Sequence, residues 1–186
     1  TGLLMILGLD VSTATIGYTV LDNDGFVLEM DFISLKKVKG ITNKGFHFRK
    51  VLREICNRHS IKEVFIEEYF QRFARGMSSA RTITLLSSFN GIVQYICHDE
   101  LGIAPEPIAV NTCRSLVGIK TLSKKKAGKD VKEQVFDWVS NHLQYKWPTK
   151  ILQSGPRKGQ LIILEEARDM ADAWVVAKAG FVKAST

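Results

Sequence analysis

Apolar and polar residues alternate along this chain with two different periods, and the change of period predicts its elements. Short apolar runs bounded by turn residues predict three strands, at 3–9, 17–21 and 26–33. The sequence Asn-Asp-Gly at 23–25 is typical of a tight hairpin between the second and third strands. These three strands are therefore expected to form an antiparallel meander.

The rest of the chain alternates between helical and strand-like patterns. Apolar residues at helical spacing predict four helices, at 42–59, 78–99, 125–142 and 165–182, and short apolar runs predict two strands, at 63–67 and 108–110. Residues 144–160 are rich in Lys, Pro and Gly and are predicted to form a loop or hairpin insertion. This order predicts a single α/β domain over 1–186, with a mixed five-stranded sheet of three antiparallel and two parallel strands and helices on both faces.

Asp10 directly follows the first apolar run, in ILGLDVSTATIGYTVLD. A carboxylate at the edge of a buried strand is costly unless something pairs with it. A right-handed crossover through the first helix places strand 63–67 parallel to another strand of the same sheet. The first strand is the most apolar of the three and is its expected central neighbour, so Asp10 and Glu67 are expected side by side. Glu67 and Glu68 are also compatible with a strand that ends in solvent. Two interpretations of Asp10 remain, as a metal ligand or as part of the first phosphate loop of an actin-like ATPase.

The ATPase interpretation requires more sequence than this chain contains. It needs a second phosphate-binding hairpin and a glycine-rich adenosine loop spread over two domains. Neither pattern occurs in these 186 residues, so no nucleotide cofactor is expected.

A second pair of carboxylates lies in the last predicted helix, within DMADAWVVA. Asp169 and Asp172 are three residues apart and share one helix face. Asp169 is equally explained as a favourable negative charge in a first helical turn. Asp172 lies among Ala171, Ala173 and Val175, where an unpaired carboxylate is unfavourable.

Four carboxylates therefore call for a common explanation: Asp10, Glu67, Asp169 and Asp172. Such a cluster repels itself unless divalent cations bind to it, and Mg²⁺ prefers carboxylate and water ligands. Two such ions about 3.5–4 Å apart activate water and stabilise the leaving oxygen in phosphodiester cleavage. Two Mg²⁺ ions are expected in the site, with Mn²⁺ as a substitute. No histidine is placed as a general base.

The positive charge of the chain is concentrated in one segment. The formal net charge is +7, but residues 111–160 contain 11 Lys or Arg and 3 Asp or Glu, a balance of +8. The remainder is close to neutral. This concentration favours a local contact with a polyanion, although a solvated helix face followed by a loop also explains it.

Composition bounds the cellular setting. No apolar stretch reaches 18 residues, so no membrane contact is expected. Three widely spaced cysteines without zinc-site spacing predict reduced thiols, hence a cytoplasmic or a viral or organellar interior and not secretion. Residues 1–4 precede a plausible initiator, Met5, and are interpreted as an artificial remnant or a start-site variant.

The three acidic motifs, ILGLDVSTATIGYTVLD, FIEEYF and DMADAWVVA, together resemble the RuvC family of Holliday-junction resolvases, in the RNase H-like nuclease group. Each motif alone is weakly specific, but their order and their placement on the predicted elements are specific together. The resemblance covers Met5 to about Gly180. It implies an RNase H-like fold and a homodimer that cleaves four-way, and other branched, DNA. It also implies that Asp10, Glu67, Asp169 and Asp172 are the catalytic residues that bind two Mg²⁺ ions.

The resemblance also implies a set of DNA contacts. Lys124 matches a family lysine ahead of the third helix, and Phe70 matches an aromatic wedge at the junction centre, with Phe73 as its alternative. The predicted DNA-binding residues are Phe70, Arg72, Phe73, Arg75, Arg114, Lys124, Lys125, Lys126, Lys129 and Lys132.

Two departures from the bacterial pattern separate this chain from bacterial family members. The lysine run at 124–126 is heavier, and the 144–160 insertion is longer, which is more similar to viral or organellar members. Two other functions stay open from sequence. One is an RNase H-like nuclease for RNA or RNA–DNA hybrids, and the other is a junction-binding protein without catalysis.

Overall fold

The structure is a computed structural model that describes residues 5–68 and 79–186. In chain order, its elements are β1 (Met5–Val11), β2 (Thr15–Leu21), β3 (Val27–Ser34), α1 (Ile41–Arg58), β4 (Ile61–Glu67), α2 (Ala80–Leu101), β5 (Glu106–Ile108), α3 (Val110–Val117), α4 (Lys124–Ala127), α5 (Val131–Leu143), β6 (Thr149–Ile151), β7 (Leu161–Ile163) and α6 (Ala167–Ala184). The described helices include none that is both long and apolar enough to cross a membrane.

The main sheet has five strands in the order β3-β2-β1-β4-β5. Strands β1, β2 and β3 form the antiparallel meander, and β4 pairs in parallel with both β1 and β5. The predicted fold class, a mixed sheet with three antiparallel and two parallel strands, is confirmed. The connection from β3 through α1 returns β4 to the far side of β1, as the preferred crossover predicts.

Two apolar layers cover the two faces of this sheet. Successive residues of β1 point to opposite faces, so Ile6 packs in the layer that includes α6, whereas Leu7 and Leu9 pack against α1 and α2. Trp174 of α6 and Phe48 of α1 are among the largest fully buried side chains of the two layers. Helices therefore cover both faces, and the predicted strand alternation decides which face each acidic side chain joins.

The predicted helix 125–142 is wrong as a single element. The chain forms α4 and α5 instead, because Gly128 has the left-handed φ of 73° that ends a helix. Asp130 then caps α5, since its carboxylate accepts a hydrogen bond of 2.9 Å from the Glu133 amide. This break changes the direction of the basic segment between Lys126 and Lys132.

The predicted strand 108–110 lies two residues too late. The pairing with β4 uses Glu106 to Ile108, and Val110 already begins α3, a helix that the sequence analysis missed. Pro107 is tolerated because β5 is an edge strand. The segment predicted as a loop or hairpin contains β6, and its antiparallel partner β7 begins just after residue 160.

Candidate active site

The parallel pairing of β1 and β4 brings two carboxylates together. Leu9 pairs with Ile66, so the next residues along the two strands, Asp10 and Glu67, are neighbours at the carboxyl ends of the strands. Strand alternation directs both side chains to the face that α6 covers. The predicted neighbourhood of Asp10 and Glu67 follows from this register.

Helix α6 approaches this edge of the sheet unusually closely because two glycines face it. A Cβ atom added at Gly8 would lie 2.5 Å from the Ala177 Cβ, and one added at Gly17 would lie 2.1 Å from the Asp169 carbonyl oxygen. No ordinary side chain fits at either position. The two glycines therefore allow the first turns of α6 to reach the end of β1.

The close approach completes an acidic cluster. One carboxylate oxygen from each of Asp10, Asp169 and Asp172 lies within 4.8 Å of the other two. Glu67 lies close enough for its charge to act on Asp10. The structure thus brings together all four predicted carboxylates, three of them within the span of one metal-binding site.

The electrostatics of the cluster are those of crowded, poorly solvated acids. Burial, followed by the charges of Asp172 and Glu67, holds the pKa of Asp10 well above its ordinary value. Burial and the Asp172 charge raise the pKa of Glu67 to about 7, and burial with the Asp169 charge raises that of Asp172 to about 6. At neutral pH the metal-free cluster therefore retains protons that ordinary carboxyl groups have lost.

Two basic side chains oppose this accumulation of negative charge. The Lys132 Nζ lies 2.8 Å from Asp169 Oδ1 and 3.4 Å from Asp172 Oδ2. Burial lowers the pKa of Lys132, but the charges of Asp172 and Asp169 outweigh it and hold that pKa above its ordinary value. The Arg114 charge acts on Glu67 and Asp172 and lowers the pKa of both.

The residues between β1 and β2 bear on the other interpretation of Asp10, as part of the phosphate loop of an actin-like ATPase. The Ser12 hydroxyl donates to the Thr15 carbonyl at 2.8 Å and accepts from the Thr15 amide at 3.0 Å. Lys44 donates to the Thr13 carbonyl. The hydroxyl that a phosphate loop needs is therefore used to close a local turn.

Sequence reasoning missed the side chain that supports the end of β4. Asn90 of α2 is buried, and its amide donates to the Glu67 carbonyl at 3.4 Å while its oxygen accepts from Gln94 at 2.6 Å. A buried polar residue in an otherwise apolar helix face was the available signal. Asn90 fixes the backbone from which the Glu67 side chain departs.

A pocket of about 340 Å³ opens beside the acidic cluster. Its wall joins Asp169 and Lys132 to side chains from the meander and the start of α6, including Ser12, Lys36, Glu166 and Arg168. Lys36 pairs with Glu166 at 2.5 Å, and Arg168 binds Glu133 through two hydrogen bonds of 2.8 and 2.9 Å. Of the four carboxylates, Asp169 lines this pocket and is therefore reached from solvent on this side.

The predicted DNA-binding residues fall into three structural groups. Lys124, Lys125 and Lys126 are exposed on α4 and form no ion pair with the described residues. Lys129 pairs with Asp137, whereas Lys132 and Arg114 lie at the acidic cluster. Residues predicted near Glu67, namely Phe70, Arg72, Phe73 and Arg75, lie outside the described residues.

Several solved structures have a similar fold. Thermus thermophilus RuvC in complex with a Holliday junction substrate superposes with a TM-score of 0.64 at 16% identity, over 98% of this chain and 95% of that chain. A second Thermus thermophilus RuvC structure gives 0.60 at 18% identity, over 98% and 96%. This chain has the RuvC fold.

A mitochondrial protein extends the comparison. The yeast mitochondrial Holliday junction resolvase Ydc2 gives a TM-score of 0.54 at 14% identity, over 95% of this chain and 77% of that chain. No protein-family model and no curated protein sequence matches the chain. The predicted resemblance to RuvC is confirmed for the fold, and since bacterial and mitochondrial proteins share it, the similarity to viral or organellar members stays a prediction.

The donor set of the RuvC-fold site fits a divalent metal ion. Three hard carboxylate oxygens within 4.8 Å of one another match the ligands that Mg²⁺ prefers. Burial first, and then the charges of neighbouring carboxylates, raise the pKa values of Asp10, Glu67 and Asp172 in spite of the nearby Lys132 and Arg114. A bound divalent cation would supply the missing charge.

Proposed function

We propose that this chain is a divalent-metal-dependent endonuclease that hydrolyses phosphodiester bonds in four-way DNA junctions. The observation that carries the proposal is the convergence of Asp10, Asp169 and Asp172, with Glu67 beside them, at one edge of a RuvC-fold sheet. A junction-binding protein without catalysis would not need four carboxylates in one unfavourable cluster. Their retention together supports a catalytic site.

The four carboxylates would hold two Mg²⁺ ions, or Mn²⁺ in their place. When bound, such ions activate water for attack and neutralise charge on the leaving oxygen. Because α6 packs directly against Gly8 and Gly17, the fold brings the Asp169 backbone against β2, next to Asp10 on β1. Arg114 and Lys132 supply positive charge next to the carboxylates, where a phosphate would otherwise be repelled.

The exposed lysines of α4 would bind the phosphates of a DNA arm. Lys124, Lys125 and Lys126 project into solvent without protein partners among the described residues, which is the arrangement for phosphate contacts. Phe70, with Phe73 as the alternative, remains the predicted wedge at the junction centre. Arg72 and Arg75 remain predicted phosphate contacts.

Paired cuts on two strands of a junction require two sites, which supports a two-fold dimer. Helix α2 carries several small residues on its surface, and Ala80, Ser88 and Gly91 are exposed. A Cβ added at Gly91 would meet nothing within 4 Å. These small residues therefore do not pack against the sheet, which favours α2 as the dimer surface. Light scattering of a Gly91→Arg variant tests it, and we expect a monomer that remains folded.

The decisive experiment compares nuclease substrates. Labelled four-way junction, duplex, flap and RNA–DNA hybrid are incubated with the protein, with and without Mg²⁺, beside Asp10→Asn and the control Asp31→Asn. Asp31 is an exposed carboxylate on β3 and gives the same change of charge. We expect Mg²⁺-dependent junction cleavage by the wild type and Asp31→Asn only.

Other outcomes identify other functions. Preferential hybrid cleavage would assign the site to an RNase H-like activity, and comparable flap cleavage would extend the substrate to branched DNA in general. Tight junction binding without cleavage in the presence of any metal ion would identify a junction-binding protein without catalytic activity. Cleavage by Asp10→Asn at the wild-type rate would remove Asp10 from the reaction.

A further inference from the structure

Interactions within its own helix do not explain why position 132 is a lysine. It is the second residue of α5, and a positive charge near a helix N-terminus is unfavourable with respect to the helix dipole. Its neighbour Asp130 already caps the helix, so the lysine does not contribute to capping. The interactions that explain its position lie on another helix.

Those interactions are with two of the candidate metal ligands. The Lys132 ammonium lies 2.8 Å from Asp169 Oδ1 and 3.4 Å from Asp172 Oδ2. No other ion pair involving either aspartate occurs within residues 5–68 and 79–186. One lysine therefore supplies the direct positive contact for this part of the cluster.

The protein also fixes the start of α5 against α6. Glu133, the residue after Lys132, receives two hydrogen bonds from the Arg168 guanidinium, and Arg168 lies over the Phe136 ring at 4.6 Å from its centroid. These contacts hold the backbone of Lys132 beside the cluster. The Lys132 side chain is 49% exposed, and it lines the pocket beside Asp169.

We infer that Lys132 is an internal counter-ion that competes with a divalent cation for Asp169 and Asp172. The inference rests on the proposed metal-dependent function and adds a regulated exchange to it. In the metal-free protein the ammonium relieves repulsion among the carboxylates. Asp169 and Asp172 would also hold the metal ion, and the Lys132 ammonium would then leave them for the adjacent pocket, which Lys132 already lines.

This exchange makes metal and DNA binding mutually dependent. The lysine weakens metal binding because its displacement costs free energy, and by linkage the metal weakens the hold of the aspartates on the lysine. A released ammonium beside the cluster is placed to bind a DNA phosphate. Lys132 would therefore act as the predicted phosphate contact only after a metal ion has entered.

Metal titration without DNA tests the exchange. Mg²⁺ and Mn²⁺ affinities are measured by calorimetry for the wild type, Lys132→Met, Lys132→Arg and the matched control Lys129→Met, which loses the same charge at a lysine paired with Asp137. We expect Lys132→Met to bind the metals more tightly by at least about fivefold, the lower range of typical site coupling. Lys132→Arg and Lys129→Met should stay close to the wild type.

Thermal melting on the same preparations gives a second readout. Lys132→Met should melt lower than the wild type without metal and gain more stability when Mg²⁺ is added. A variant that folds only when Mg²⁺ is supplied would equally support the exchange. Metal affinity of Lys132→Met equal to or weaker than that of Lys129→Met would overturn the inference alone. Absence of metal binding in every protein would overturn the proposed function as well.

Discussion

Glu29 and the four clustered carboxylates at Asp10 are both largely shielded from solvent, but they differ in the positive groups around them. Glu29 on β3 is held by Arg58 at 2.6 Å, by His59 at 2.6 Å and by the Tyr18 hydroxyl at 2.7 Å. The hydrogen bond from Arg58 leads the causes that lower the pKa of Glu29 to about 2. At the carboxyl end of β1, four carboxylates share Lys132 and the more distant Arg114.

The difference separates a structural acid from the acids that we propose bind metal. Glu29 contributes to stability because the fold supplies its partners, which hold its pKa well below the ordinary value. The cluster at Asp10 reduces the stability of the metal-free protein, since its acids repel one another. Carboxylates kept together without sufficient partners are expected where an external cation is bound.

The largest expected contrast is between Asp10→Asn and Glu29→Gln, in both junction cleavage and melting temperature. Asp10→Asn should lower junction cleavage by more than about a hundredfold, because metal-bound charge stabilisation is worth several kcal/mol. Its melting temperature should stay the same or rise, since a repelling charge is removed. Glu29→Gln should instead melt lower and retain cleavage per folded molecule.

Cleavage assays and thermal melting on the same preparations measure this contrast. If both variants lost stability equally and both retained cleavage, the two groups of acids would not differ in function. The conclusion that the Asp10 cluster binds metal would then fail.

The two groups should also give opposite responses to pH. Because Glu67 and Asp172 have raised pKa values of about 7 and about 6 in the folded state, the folded protein binds more protons than the unfolded chain. The free energy of unfolding should therefore fall as pH rises from 5 to 7.5, by roughly 2–4 kcal/mol. The stability from Glu29 is present above pH 4.5 and is lost as pH falls toward 2.

Chemical denaturation in EDTA at pH 5 and 7.5 measures the cluster separately from Glu29. In the double variant Glu67→Gln/Asp172→Asn, the free energy of unfolding should decrease much less between these two pH values. In the wild type, Mg²⁺ should reverse the decrease. A stability of the metal-free wild type that rises over this range would contradict the cluster electrostatics.

Close glycine contacts bring α6 and its aspartates to the sheet, which predicts a third contrast. Gly17→Ala places a Cβ against the Asp169 carbonyl and should cost about 1–3 kcal/mol of stability, as overpacked sites do. It should also lower cleavage, because the start of α6 must shift. Gly91→Ala is the matched control for stability alone, because Gly91 lies on the proposed dimer surface, and at its open helical position it should stabilise by about 0.5–1 kcal/mol.

Denaturant titration and junction cleavage measure both glycine variants. A Gly17→Ala chain as stable and as active as the wild type would show that α6 does not need this close approach.

Much of the acidic cluster could be predicted from sequence because it depends on regular features. Strand alternation fixes the face of Asp10, the apolar first strand is the expected parallel neighbour of β4, and helical spacing places Asp169 and Asp172 on one face. Each rule acts on short stretches of sequence. The cluster therefore followed from local pattern combined with one rule of topology.

The roles of the basic residues were less predictable, because the sequence does not show which lysines of one segment contact the acidic cluster and which face solvent. Gly128 and Asp130 carried the signals for a helix end and a helix cap, but the apolar spacing across them favoured one continuous helix. The break between α4 and α5 separates the exposed lysines of α4 from Lys132 at the acidic cluster. Gly8 and Gly17 gave no signal either, since their importance appears only when α6 lies against them.

The smallest expected contrast lies within the basic segment itself. Lys124, Lys125 and Lys126 have no ion-pair partner in the described part of the chain, whereas Lys129 is paired with Asp137. Replacing the three α4 lysines with Ala should reduce the slope of log affinity against log salt by roughly 2.7, for three lost phosphate contacts. Lys129→Ala should change the slope by much less, because its charge is already partly neutralised.

Junction binding in EDTA, where cleavage is excluded, measures these salt slopes directly. A slope change of about 0.9 for Lys129→Ala, the value of one full phosphate contact, would mean that DNA draws this lysine away from Asp137. An unchanged slope for the triple variant would instead move the DNA surface to the β6–β7 hairpin. That hairpin carries Arg157 and Lys158 between its strands, both exposed and both close in sequence to the start of α6. Alanine at these two positions would then flatten the slope that the α4 lysines left unchanged.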